Sequence, residues 1–195
     1  MKKRASLLFA ASFVIGGLIA CNNDTTKDSV EQADSANKAK LDSPATNSSI
    51  PTDEESTSFL VKAANAGMAE VELSQLAQQK AKSGRVKDFA SMMIHDHSAA
   101  NDQVKGLAAP RNVTLPAMPG DDKEKTKADL EKKTGTDFDK AYMKIMVSDH
   151  KDAVDLFKNA SSKVNDTEVK TFVDNTLPKL QMHLDSAQAV QKSIK

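Results

Sequence analysis

The chain has no tryptophan, few aromatic residues of any kind and a single cysteine. The aromatic shortage leaves an all-α domain as the expected class, with a core of small and aliphatic side chains. One cysteine, Cys21, can neither close an internal disulfide nor build a thiolate metal site alone. No basic stripe is present, which excludes nucleic acid as the expected partner. There is no Ser-His-Asp arrangement, glycine-rich phosphate loop or cysteine nucleophile. A Cys-x-x-Cys-His haem attachment motif is also absent, as is any internal repeat. The catalytic residues, if there are any, are therefore unknown from the sequence.

What the sequence does have begins at the N-terminus. Met1-Lys2-Lys3-Arg4 is a basic start. Leu7 to Ile19 is an apolar run too short to span a membrane comfortably. Leu18-Ile19-Ala20-Cys21 resembles the bacterial lipobox. Residues 1–20 are therefore predicted to be a lipoprotein signal peptide, with Cys21 the lipidated residue. An ordinary signal peptide with an incidental cysteine is the alternative. A lipidated Cys21 makes the membrane a partner through acyl chains, not through a spanning helix. The expected location is the bacterial cell envelope, periplasmic or at the outer membrane. Without the first twenty residues the net charge falls to about −3. Residues 22–52 are rich in Asn, Asp, Thr, Ser and Lys without apolar spacing, so 21–52 reads as a flexible tether.

Residues 53–195 are expected to form the folded domain. Thr52 or Asp53 caps a first helix running to about Ser83, and Gly84 ends it. A second runs from about Arg85 to Ala109, stopped by Pro110. A long connection follows, with a charged surface helix from Asp121 to Thr134 that has little to bury and is ended by Gly135. The third helix starts at Thr136 or Asp137 and reaches about Lys163. A fourth begins near Thr167-Glu168, with Pro178 inside it as a kink or loosening. Two helical hairpins joined by one long link predict a ferritin-like four-helix bundle, the long connection lying between helices two and three.

Each long helix carries a seam with steps of three and four residues. The first is Leu60, Ala63, Gly67, Glu70, Ser74, Ala77, Ala81. The second is Val86, Ala90, Met93, His97, Ala100, Val104, Leu107. The third is Met143, Met146, His150, Ala153, Phe157, Ala160, and the fourth runs from Val169 through Leu180 and His183 to Ile194. Every seam buries one metal-ligating side chain where an apolar one is expected. Burying a carboxylate or imidazole costs free energy unless it is paired or coordinated.

The four residues are also predicted to be near one level. Glu70 lies fourteen residues before Gly84 and His97 thirteen after it. At 1.5 Å per residue that is a mismatch of roughly 1.5 Å. His150 and His183 flank Asn165 by fifteen and eighteen residues, an offset of about 4.5 Å on the same rise. Glu70, His97, His150 and His183 are therefore the candidate metal ligands, for one zinc, copper or iron ion. Asp96 and Asp149 are candidates for a supporting or surface role. His95 and Glu72 lie off the seams and read as solvent-facing, while Met93 and Met146 read as core. If those methionines turned toward the metal, copper would gain over zinc.

Short motifs in the same helices carry a family resemblance. They are Ala63-Ala64-Asn65-Ala66-Gly67-Met68-Ala69-Glu70-Val71, Phe89 to Met93 leading to Asp96-His97-Ser98, the Phe138 to His150 segment, and Leu177-Pro178-Lys179-Leu180-Gln181-Met182-His183-Leu184. Phe59 to Leu184 resembles a numbered domain of unknown function found in exported bacterial proteins, with a ferritin-like bundle. The resemblance implies the fold and no activity. A di-iron site of the wider ferritin-like superfamily uses Glu-x-x-His on two helices and a Glu on each of the others. Here Ile94 and Leu180 stand where those motif glutamates belong, and no Glu-x-x-His occurs in the chain. Storage or oxidation of iron is disfavoured, and a single-metal site is the expectation. Two alternatives stay open. One is a metal-free structural or protein-interaction module of the envelope, whose Glu–His contacts only fix helix register. The other is a degenerate oxidase that recruits Asp96 or Asp149.

Overall fold

The computed structural model describes residues 28–42 and 50–194. The expected signal peptide and Cys21 lie outside those residues. Within them are six α-helices and no strand. Helix α1 is Ser29–Leu41, α2 Glu54–Lys80, α3 Gly84–Ala108, α4 Asp121–Glu131, α5 Gly135–Lys163 and α6 Thr167–Ser193. The four long helices α2, α3, α5 and α6 make the bundle. Antiparallel α2 and α3 form one hairpin and α5 and α6 the other; α2 packs on α5 and α3 on α6 to close it. This is the expected ferritin-like arrangement, with the long connection between α3 and α5.

Local chemistry sets the ends. The Asp53 carboxylate accepts from the Ser56 N–H at 2.6 Å and caps α2. Asp166 caps α6 by accepting from Glu168 and Val169 N–H at 3.1 and 3.0 Å. The α2–α3 turn departs from the sequence reading: Gly84 is the first residue of α3, not a terminator of α2. The donors of that turn are satisfied from a distant helix. The buried Asp139 of α5 accepts from Lys82 and Ser83 N–H at 3.0 and 2.8 Å. A 3-10 turn, Ala109–Arg111, carries Pro110 after α3, and Asn112 leaves it in the left-handed region at φ 54°. Gly135 also has a left-handed φ, 58°, at the start of α5, a conformation that favours glycine. Helix α6 continues through Pro178, which can offer no N–H to the Asp174 carbonyl one turn earlier.

The tether expectation needs correction over residues 29–41, which form helix α1. Its hold on the domain is mostly polar, which is why apolar spacing did not reveal it. The buried Asn37 side chain accepts from Thr114 N–H at 2.7 Å and donates to the Thr114 carbonyl at 2.8 Å. Lys40 donates to the Asn112 carbonyl at 2.7 Å, and Asp28 accepts from Asp121 N–H at 2.5 Å. Only Ala33 adds a buried apolar side chain.

Two apolar clusters fill the bundle. One includes Phe59, Leu60, Phe157, Phe172 and Val173, with Phe59 edge-on to Phe157 at 5.0 Å between centroids. The other includes Leu73, Phe89, Met93, Phe138, Tyr142, Met143 and Met146. Glu70, His97, His150 and His183 belong to neither and lie along their helices between the two. Among the described residues no helix is long and apolar enough to cross a membrane.

Candidate metal centre

Each imidazole reaches the middle of the bundle from a different helix, α3, α5 and α6. Ring centroids are 5.4 Å apart for His97 and His150, 5.3 Å for His97 and His183, and 5.5 Å for His150 and His183. One ring nitrogen of each lies within 4.8 Å of one from each of the others. All three side chains are buried.

The two nitrogens of each ring have different fates. His97 Nδ1 is 2.9 Å from Glu70 Oε2. His150 Nδ1 is 2.9 Å from the Met146 carbonyl, one turn back on its own helix, and 3.4 Å from Glu70 Oε1. His183 Nε2 is 2.8 Å from Asp96 Oδ2. The remaining nitrogens, His97 Nε2, His150 Nε2 and His183 Nδ1, are buried without a hydrogen-bond partner. An oxygen acceptor on one ring nitrogen fixes the tautomer that leaves the other with a lone pair, as in metal-binding histidines.

Glu70 therefore stands differently from its expected place as a fourth ligand. It is buried in the same layer, yet the cluster whose atoms converge is the three histidines. Its carboxylate lies against the His97 and His150 rings. Burial alone would raise the Glu70 pKa, but the charges of His97 and His150 and the His97 hydrogen bond win and lower it to about 2. For His97, burial opposes charging, and Glu70 outweighs it, so its pKa is raised. For His183, burial dominates over the Asp96 hydrogen bond, and repulsion from His97 and His150 adds to it. Its pKa falls to about 4. Glu70 thus favours a proton on His97 while burial keeps His183 neutral, and a metal at His97 Nε2 would have to displace any proton there.

The other sequence candidates separate clearly. Asp96 reaches His183 across the α3–α6 contact, so of the two neighbouring aspartates it is the one that supports a ring. Asp149 instead pairs with Lys123 of α4 at 3.0 Å, and burial outweighs that lysine to raise its pKa. Met93 and Met146 are fully buried in the apolar cluster, as expected of core. His95 is exposed. Glu72 is half-buried and pairs with Lys127 at 2.7 Å. The sequence reading did not identify Lys123, because the path of the long connection carries no periodicity. The Met146 carbonyl was within reach of it: an i−4 carbonyl always lies beneath a helical side chain.

A family model described as "Domain of unknown function (DUF4142)" matches residues 24–190. No curated protein matches the chain. Solved structures resemble it in fold. One described as CopM in the Cu(I)-bound form has a TM-score of 0.60 at 17% identity, covering 70% of this chain and 95% of its own. CopM in an Ag-bound form gives 0.60 and 17%, covering 72% and 98%. A DUF305 fragment from Deinococcus radiodurans gives 0.66 and 12%, covering 73% and 99%. At these identities the likeness establishes the helical-bundle fold.

Proposed function

This chain belongs to the DUF4142 family, and we propose that it binds one transition-metal ion, of the copper or zinc class, through His97, His150 and His183. The observation that carries this reading is the trio of buried, unpartnered ring nitrogens turned from their carboxylate and carbonyl partners. Left empty, each such nitrogen forfeits about 1–3 kcal/mol of hydrogen bonding. A metal ion is the one partner that accepts all three lone pairs at once. Three imidazoles suit zinc and copper, and nothing in the layer supplies the carboxylate-rich set of a di-iron centre. That the fold neighbour CopM has been seen with Cu(I) and with Ag supports the soft end of this range.

In this reading Glu70, Asp96 and the Met146 carbonyl are positioning groups. They hold the rings and their tautomers and touch the metal only through them. Three protein ligands leave a coordination position free, which separates a site for exchange or chemistry from a closed structural one. We further propose that the domain works at the bacterial envelope, held by a diacylglyceryl group on Cys21. The basic start, the apolar run and the small residue before the cysteine support that anchor. Fatty-acid labelling that disappears in Cys21→Ser tests it.

A metal-free bundle is the second reading, favoured by the 2.9 Å Glu70–His97 pair, which partly satisfies the layer without an ion. Metal content by mass spectrometry separates the two. The full-length chain in detergent is equilibrated with Cu(I), Zn(II) or Fe(II), then dialysed, beside a His97→Ala, His183→Ala double variant. One copper or zinc per chain, lost in the variant, is expected. No retained metal in the wild type would overturn the site and leave the register-fixing role.

A further inference from the structure

Charge is shared unequally between the two ends of the bundle. The end built from the α2–α3 turn, the close of α4, the start of α5 and the close of α6 spans residues 80–88, 129–144 and 188–194. It carries nine lysine and arginine side chains against five acidic ones. The opposite end, residues 53–62, 102–111 and 152–174, carries six against nine. One of the five acids at the basic end, Asp139, is buried and bonded to the Lys82 and Ser83 N–H groups.

The cations of that end lie outside. Lys82, Arg85, Lys133, Lys140, Lys144 and Lys192 are all exposed, and none pairs with a described carboxylate. Lys132 beside them does, 2.8 Å from Asp129. Lysines on the inner side of α4 behave differently, Lys123 pairing with Asp149 and Lys127 with Glu72. Lys132 and Lys133, just past α4, and Lys140 and Lys144 on α5 wall one open cleft in which Asp137 is the only acid. Lys140 and Lys144 are like charges four residues apart, an arrangement that works against a helix. Nothing within the fold offsets that repulsion; an anion in the cleft would.

We propose that this end of the bundle docks on the anionic headgroups of the membrane that holds the protein, with lipid phosphates seated among the cleft lysines. The inference rests on the Cys21 anchor proposed above and adds an orientation to it. Asp28 meets the start of α4, where it accepts from the Asp121 N–H. From there α4 runs eleven residues to the lysine end, about 17 Å at the helical rise. Seven residues separate Cys21 from Asp28, and extended they span up to about 25 Å. The anchor therefore permits the lysine end to reach the headgroups, and charge selects it: a negative surface attracts that end and repels the acidic one.

The test uses the full-length lipidated chain on vesicles. Its native thiol is taken up by the anchor, so a cysteine introduced by Thr134→Cys, or by Asn159→Cys at the other end, carries the only dye. Energy transfer to an acceptor on the headgroups reports which end faces the bilayer. Transfer from position 134 is expected to be at least about twofold higher on vesicles with roughly a third phosphatidylglycerol than on phosphatidylcholine alone. Position 159 should show no such rise. About 0.5 M salt should abolish the difference, as should Lys133→Gln, Lys140→Gln, Lys144→Gln, which alters only exposed side chains. Equal transfer on both vesicles, or the greater rise at position 159, would overturn the docking and leave the lysines to an acidic protein partner. Flotation with phosphatidylcholine vesicles reports the anchor separately. A chain that fails to float there has no anchor, and flotation with the phosphatidylglycerol vesicles then decides the surface: binding lost in the triple variant supports it, and no binding overturns it.

Discussion

His97 and His183 face each other at 5.3 Å yet respond to acid in opposite ways. The folded metal-free protein holds a proton on His97 more tightly than the unfolded chain does, because Glu70 outweighs the burial penalty. Its contribution to stability is present below the ordinary histidine pKa and is lost as pH rises through the raised folded value. His183 refuses a proton down to about pH 4. Between the ordinary value and pH 4 the unfolded chain gains that proton first, so acidification costs stability there. Urea midpoints of the chelator-treated protein should show this. His183→Gln should flatten the loss of stability between pH 7 and about pH 4.5. His97→Gln should steepen it. Equal slopes in both variants would mean that the two rings share one environment. At this scale the four seam positions were legible in the sequence, since helical period alone puts Glu70, His97, His150 and His183 inside. The division of labour was not. Whether a carboxylate meets a metal or the back of an imidazole depends on side-chain direction, which spacing does not encode.

Helix α1 shows what an element looks like when polar contacts hold it. Asn37 forms two hydrogen bonds with one backbone unit, Thr114, inside the long connection. Replacing it leaves a donor and an acceptor of that unit unpaired in a part-buried place. Asn37→Ala is expected to destabilise the domain by about 1–3 kcal/mol, measured by urea unfolding, and to speed hydrogen exchange at the Thr114 amide specifically. A change below about 0.5 kcal/mol, the range of ordinary surface substitutions, would mean that α1 docks without support from this pair. The long helices were readable because caps, apolar period and Pro110 agree in marking them. Helix α1 was not, because two buried residues in thirteen leave no period to read.

At the scale of the molecule, two hairpins are joined covalently by one long connection, and polar devices add to the apolar packing that ties them; besides Asp139 at the α2–α3 turn, two lie at or near the other contacts. The first is Arg111, 3% exposed, at the end of α3. Its guanidinium donates to both Asp166 oxygens at 2.8 and 2.6 Å and to Glu168 at 2.8 Å, at the start of α6. Arg111→Ala takes the guanidinium from the little-exposed Asp166 carboxylate and leaves it only its two backbone donors at the start of α6. Its expected cost is about 3 kcal/mol, the low end for a broken buried pair because Glu168 can turn to water. A double-mutant cycle with Asp166→Ala should recover part of that cost; full additivity would mean that the pair is not coupled. The second device is the imidazole layer, whose three rings come from both hairpins.

On the proposed metal reading, that arrangement makes the ion a removable strut. Nothing in the unfolded chain gathers His97, His150 and His183, so whatever binds them binds the native state alone. At free metal a hundredfold above the dissociation constant, mass action adds about 2.7 kcal/mol to the folding equilibrium. For a domain of this length that is a rise of roughly 5–10 °C in the thermal midpoint, which a calorimetric titration would show. A chelator then acts as a mild denaturant. On the same reading, metal scarcity is expected to shorten the life of the protein where proteases sample the opened chain, so that its abundance would follow how much metal its surroundings hold.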